Sequence, residues 1–187
     1  MARHTMSTKA QATTEDLYHI PENSKAELVN GEIVPMSPTG GLPNRAAGSI
    51  YVSLRAYERQ MPGHYAFTDN AGFIVDLPNR RSFSPDVAFY GGKVSGKFLQ
   101  GAPVFAVEVR SEGDYGPDAE RAMAQKRADY FRAGTLVMWD VDVLQERVVR
   151  VYRVDDRENP TIYGPGQTAE AEPALPGWSI SVDEIFA

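Results

Sequence analysis

A chain of 187 residues, 42% hydrophobic and 24% charged, has the size and composition of one globular domain with a substantial core. With no cysteine, disulfides and thiolate metal sites are excluded, and three scattered histidines (His4, His19, His64) exclude a histidine-rich zinc centre. The formal net charge of −6 argues against a broadly basic nucleic-acid-binding surface but leaves room for a local basic patch above an acidic site.

Residues 1–13 are small and polar and are expected to form a disordered tail, with 14–187 as a single domain. The N-terminal stretch lacks the apolar middle of a signal peptide, and no run of eighteen apolar residues occurs. A cytoplasmic location without a membrane span is therefore the expectation. "TTEDLYHIP" predicts a short helix capped by Thr13 or Thr14 and stopped by Pro21. In "KAELVNGEIVPM" two apolar runs flank Asn30-Gly31, the dipeptide of a type I′ hairpin. Residues 45–60 carry Ile50, Leu54, Tyr57 and Met61 at helical spacing, and Pro62-Gly63 ends that helix.

Strands are predicted over 64–68, 72–77 and 83–90, then, after a Gly- and Lys-containing loop, over 103–110. Pro117 opens a helix that runs to about Arg132 and is capped by Gly134. Its expected buried stripe is Ala124, Ala128 and Phe131, with Met123 beside it. Strands at 135–142 and 147–154 follow, Trp139 and Trp178 read as core aromatics, and the Pro-, Gly- and acid-rich remainder ends in a strand and a short helical turn at "VDEIF". This order predicts an α/β (α+β) fold: a central mixed sheet flanked by helices, with an N-terminal β-hairpin. Residues 103–142 form a βαβ-like unit whose two strands can be parallel.

Two of these strands contain an unexpected acid: Asp86 in "SPDVAFY" and Glu108 in "FAVEVRSEGD". An ionised carboxylate is rarely buried unless paired or bound to metal. Alternation puts Asp86 on a face with Ser84 and Ala88, and Glu108 with Ala106 and Arg110, so neighbouring strands would let both acids converge. Two carboxylates, a backbone carbonyl such as that of Val109, and water suit Mg²⁺ or Mn²⁺, which can activate water toward a phosphodiester. A nearby cation would orient the water and stabilise developing charge. Lys126 suits general-base duty because lysine can lose its proton, whereas Arg110 can clamp phosphate. Tyr130, one turn after Lys126, can orient substrate or simply pack. Arg80, Arg81, Lys93 and Lys97, in two loops flanking the Asp86 strand, can track a phosphate backbone or be ordinary loop charges. Taken singly, Asp86 can cap a turn or pair with Arg110, Glu108 can be half of a surface ion pair, and Lys126 can be a solvated helix lysine.

Pro85-Asp86 followed by "EVR" at Glu108–Arg110 resembles the motif of the PD-(D/E)XK nuclease superfamily. The wider set "AELVNGEIVPMSP", "SPDVAFY", "FAVEVRSEGD", "KRADYFRAGTLVMWDVD", "VVRVYR" and "LPGW…VDEIF" resembles its Uma-type branch of restriction endonucleases, from about residue 14 onward. The resemblance implies a restriction-endonuclease-like fold, with Asp86 and Glu108 as metal ligands. It implies Lys126 as the catalytic cation, since Arg110 occupies the usual lysine position, and Glu27 as a further acidic position. It also implies a homodimer, because cutting two strands needs two sites. Two departures stand out: Asn44 lies near where relatives carry a histidine, and "RSEGD" replaces a Ser-Pro-Ser turn. The leading expectation is a Mg²⁺- or Mn²⁺-dependent DNA endonuclease. The alternatives are an inactive nuclease-fold binding or assembly module, its acids held in an ion-pair cluster with Arg110 and Lys126, and a phosphodiesterase of small nucleotides.

Overall fold

The computed structural model describes residues 11–21 and 24–187, so most of the expected N-terminal tail lies outside the described residues. The first element is a 3-10 turn, Asp16–His19, where Asp16 Oδ2 accepts the Thr13 N–H and hydroxyl at 2.7 and 2.8 Å. Strands β1 (Lys25–Val29) and β2 (Glu32–Met36) form the predicted hairpin. Its turn residues Asn30 (φ 51°) and Gly31 (φ 74°) both take the left-handed conformation that a type I′ turn requires. Helix α1 (Gly41–Tyr57) begins at Gly41 rather than Arg45. Pro43 is harmless there, because first-turn amides have no intrahelical partner. Ala46, Ala47, Ile50, Leu54 and Tyr57 form the buried face of α1.

The chain then runs through β3 (Tyr65–Thr68), β4 (Phe73–Ile74), β5 (Ser82–Phe83), β6 (Val87–Tyr90), β7 (Leu99–Gln100) and β8 (Phe105–Val109). Helix α2 (Pro117–Ala133) follows, then β9 (Val137–Asp142), β10 (Val148–Arg153), β11 (Asp156–Tyr163), β12 (Thr168–Glu170), β13 (Ser179–Ser181) and α3 (Val182–Ile185). The main sheet has the order β11-β10-β9-β8-β6-β3. Within it β8 and β9 are parallel, joined across α2, and the other pairings are antiparallel. The architecture is thus the expected mixed sheet with flanking helices and an N-terminal hairpin. No helix among the described residues is long and apolar enough to cross a membrane.

One face of the sheet packs Val87, Phe89, Phe105, Val107 and Trp139 against Ile50 and Leu54 of α1 and against Trp178. The other packs Ala88, Ala106 and Met138 against Tyr130 and Phe131 of α2. Several expectations change. The strand expected over 72–77 contracts to β4, the loop expected over 91–101 contains β7, and the N-terminal turn has no side-chain cap from Thr13 or Thr14. The strand expected over 83–90 is interrupted between β5 and β6, around Pro85, whose missing N–H cannot serve a ladder. The buried residues of α2 are Lys126, Asp129, Tyr130 and Phe131, while Ala124 and Ala128 are only half-buried. The C-terminal region also contains β11, an edge strand in which Pro160 needs no second partner.

Candidate active site

The hairpin lies against the segment that precedes the interrupted strand. Leu28 N–H donates to Ser82 Oγ at 2.8 Å, Asn30 N–H to Asn79 O at 2.8 Å, and Arg81 N–H to Leu28 O at 2.9 Å. This docking turns the side chains of Lys25 and Glu27, which share one face of β1, toward Asp86 and Glu108. Asp86 sits where the chain enters β6. Its N–H donates to Val107 O at 3.0 Å, and its Oδ2 accepts the Val109 N–H at 2.8 Å. Asp86 is thereby fixed on both sides of Glu108, through its backbone N–H to Val107 and through its carboxylate to Val109.

Segments from across the chain meet here through ion pairs. Lys126 Nζ lies 2.8 Å from Glu108 Oε1 and 3.0 Å from Glu27 Oε1. Lys25 Nζ lies 2.8 Å from Asp86 Oδ1 and 2.6 Å from Asp69 Oδ1. Tyr130 donates its hydroxyl to Glu108 Oε1 at 2.6 Å. Glu27 also accepts the Ser84 N–H at 2.9 Å and pairs with Arg80.

Burial shapes the electrostatics, and neighbours decide its outcome. It pushes the Glu108 carboxyl up to about 7, aided by the charges of Asp86 and Glu27 and opposed by Lys126 and Lys25. For Glu27, burial is outweighed by Lys126, Arg80 and the Ser84 N–H, which hold its carboxyl below the usual range. Burial disfavours both ammonium groups, but Glu108 and Glu27 hold Lys126 above its ordinary value, and Asp86 and Glu108 do the same for Lys25. Burial and the Glu108 charge raise the Tyr130 hydroxyl well above its ordinary value. Both lysines are therefore charged and Tyr130 is a hydrogen-bond donor.

Lys25, Glu27, Asp86, Glu108 and Lys126 line a cleft of about 980 Å³. Its walls are the hairpin (Val29, Val34, Met36), the segment leading into α1, the turn at 111–114 and the first turns of α2. Charged lining residues comprise the acids Glu27, Asp86, Glu108, Glu112 and Asp114 and the cations Lys25, Arg80 and Lys126.

Asp86, Glu108, Val109, Lys126 and Glu27 thus come together in one cleft, with Tyr130 bonded to Glu108. The other basic candidates are engaged otherwise. Arg110 binds Asp140 through Nε and Nη2, each at 2.7 Å, and also pairs with Glu120, so it partners neither Asp86 nor Glu108. Arg80 is only 6% exposed, turned inward to Glu27 and to Asp129 at 3.0 Å, and is not a surface group for tracking phosphates. Arg81 pairs with Asp76 beside a separate hollow, and Lys93 and Lys97 are exposed in the loop after β6, outside the cleft.

A family model described as "Putative restriction endonuclease", Uma2, matches residues 13–183. The chain belongs to the Uma2 family. A similar solved structure is described as "a putative nuclease belonging to DUF820" from Anabaena variabilis ATCC 29413. It is 17% identical, with a TM-score of 0.73, and the match covers 92% of this chain and 96% of that one. That likeness establishes a shared fold. No curated protein matches.

The donors in this Uma2 site are hard carboxylate oxygens, the kind that Mg²⁺ and Mn²⁺ favour. Among the described residues no group of three or more acids or histidines is arranged as a metal cage. Glu27, the third acid, faces Lys126, Arg80 and the Ser84 N–H. Asp86 and Glu108 supply two carboxylates in one cleft, the kind of donor pair that, completed by water, suits Mg²⁺.

Lys25, Asp69 and Asp129 escaped sequence reasoning. Lys25 was signalled by "KAE", which puts a cation and an acid on one face of a strand beside a hairpin turn. Asp129, fully buried, receives Asn79, Arg80 and Gln125. It lies three positions after Lys126 and so shares its helix face.

Proposed function

We propose that this Uma2 protein is a metal-dependent endonuclease of the PD-(D/E)XK type that hydrolyses DNA phosphodiester bonds. The observation that carries the proposal is the meeting of Asp86, Glu108 and Lys126 in one cleft, with Lys126 Nζ 2.8 Å from Glu108. Asp86, Glu108 and the Val109 carbonyl would hold Mg²⁺ or Mn²⁺, which supplies Lewis-acid polarisation of the phosphoryl group and a water of lowered pKa.

The chain's own residues supply the rest. The Lys126 ammonium, held charged by Glu108 and Glu27, orients water and stabilises the negative charge that develops on the phosphoryl oxygens. Tyr130 fixes the orientation of the Glu108 carboxylate. Glu27, anchored by Arg80 and Ser84, holds Lys126 from its other side. A homodimer would present two such sites to the two strands of a duplex. Family membership supports the nuclease reading over the inactive module, and Arg110, which that module needs beside the acids, is paired with Asp140 and Glu120.

The test is cleavage of plasmid DNA and of a dinucleotide in Mg²⁺ or Mn²⁺, by the wild type, Asp86→Asn and Glu108→Gln. Circular dichroism checks each variant's fold. The expected outcome is plasmid cleavage by the wild type and a loss in each variant greater than the roughly 10–100-fold typical of groups that only support a metal ligand. Equal cleavage by the variants, or none by the wild type with either ion, would overturn the proposal. Cleavage of the dinucleotide alone would reassign the enzyme to small nucleotides.

A further inference from the structure

Resting on the metal-dependent reading above, we infer that Lys25 is the resident counter-ion of Asp86 and sets the cleft's affinity for divalent cations, with Asp69 as the carboxylate that keeps it when the metal arrives. Lys25 heads β1 and lines the cleft, its side chain 13% exposed. Its ammonium bridges Asp86 Oδ1 at 2.8 Å and Asp69 Oδ1 at 2.6 Å.

The two oxygens of Asp86 therefore have different neighbours. Oδ2 is held by the Val109 N–H at 2.8 Å, which anchors the carboxylate to β8, while Oδ1 carries the ammonium. A divalent cation approaching Oδ1 meets a positive charge within hydrogen-bonding distance, and repulsion over so short a range in a buried site is strong. Lys25 must give way, and its long flexible stem permits that.

Asp69 makes the retreat possible. It lies just after β3, its side chain is 37% exposed, and it already shares the ammonium. Lys25 can release Asp86 and remain paired. Lys126 differs in that its second carboxylate, Glu27, is buried and lines the cleft, so that lysine stays beside the acids even if it shifts from Glu108. The two lysines thus divide the work: Lys126 stays with the acids, and Lys25 yields. In the metal-free protein Lys25 also spares Asp86 the penalty of an unpaired buried charge.

The geometry makes opposite demands on two variants. Lys25→Met removes the competitor and tightens metal binding. Asp69→Asn removes the alternative partner, holds Lys25 on Asp86 and weakens binding. The experiment is calorimetric titration of the full chain with Mn²⁺ alone, without DNA, on the wild type, Lys25→Met, Asp69→Asn and Asp86→Asn. Lys25→Met is expected to bind at least about tenfold tighter, Asp69→Asn several-fold weaker, and Asp86→Asn without measurable heat.

Binding by the wild type that Asp86→Asn abolishes, together with unchanged or weaker binding by Lys25→Met, would overturn the role of Lys25 and leave the metal reading standing. No binding by the wild type or by Lys25→Met would overturn both. Should Lys25→Met fail to fold, Asp69→Asn, altered at a part-exposed position, decides the matter: unchanged affinity there would overturn the inference.

Discussion

Glu108 carries the pH behaviour of the site. Its carboxyl titrates at about 7 in the folded chain against an ordinary value of 4.5. The fold therefore holds on to a proton that the unfolded chain releases. Stability from this group is fully present below about pH 4.5 and is lost as pH rises to about 7, above which the fold carries a buried carboxylate. Glu108→Gln cannot ionise and still accepts the Tyr130 hydroxyl. Its stability relative to the wild type should rise between pH 4.5 and 7 and then level off, by an amount on the order of 1–3 kcal/mol. Urea unfolding at several pH values would reveal a flat difference if Glu108 is not so shifted. The same group links metal to protons. Below pH 7 the apparent Mn²⁺ affinity of the wild type should fall by up to about tenfold per pH unit, which calorimetry in buffers of different ionisation heat would register as proton release.

At the scale of elements, α2 and the hairpin hold the site in place. The buried stripe of α2 is largely polar, and its packing depends on Arg80, which reaches both Glu27 on β1 and Asp129 on α2. Arg80→Met would leave two buried carboxylates without a cation they share. A loss of about 3–5 kcal/mol in urea unfolding is expected, the scale for removing one partner of a buried ion pair. A loss within about 0.5 kcal/mol would mark Arg80 as an ordinary surface charge.

The same elements explain what was legible in the sequence. Asn30-Gly31 announced the hairpin because the left-handed turn is a local requirement. Asp86 and Glu108 stood out because acids are rare in apolar strands, and β8, α2 and β9 follow the expected order. The stripe of α2 was misplaced because apolar periodicity has no place for a helix face of Lys126, Asp129 and Tyr130 that is buried by ion pairs and hydrogen bonds. Lys25 and Arg80 were opaque for a different reason: their partners come from distant segments, and only docking of the hairpin reveals them. Strand β11 was missed because a polar, proline-containing stretch reads as loop unless an edge position is assumed.

At the scale of the molecule, charge sets the terms for any nucleic-acid ligand. The chain has a net charge of −6, and the acids lining the cleft outnumber its cations, all three of which are already paired. A duplex presents one negative charge about every 1.7 Å, so a metal-free cleft repels it. Affinity for a labelled duplex, read by fluorescence anisotropy, should be at least about tenfold greater in Ca²⁺, an oxygen-seeking ion, than in chelator. Equal affinities would mean that DNA is held away from these acids.

The hairpin has one more consequence, in time rather than in space. Strand β1 joins none of the ladders of the six-stranded sheet; beyond its partner β2 it is tied to the chain by the Val29–Arg80 bridge, the hydrogen bonds to 79–82 and the ion pairs of Lys25 and Glu27. The core clusters on both faces of the sheet contain no residue of β1 or β2, so the hairpin can open locally while that core stays intact. While it is open, Lys126 lacks Glu27, Asp86 lacks Lys25, and one wall of the cleft is missing. Fraying of the hairpin alone would therefore disarm the site and leave the core standing.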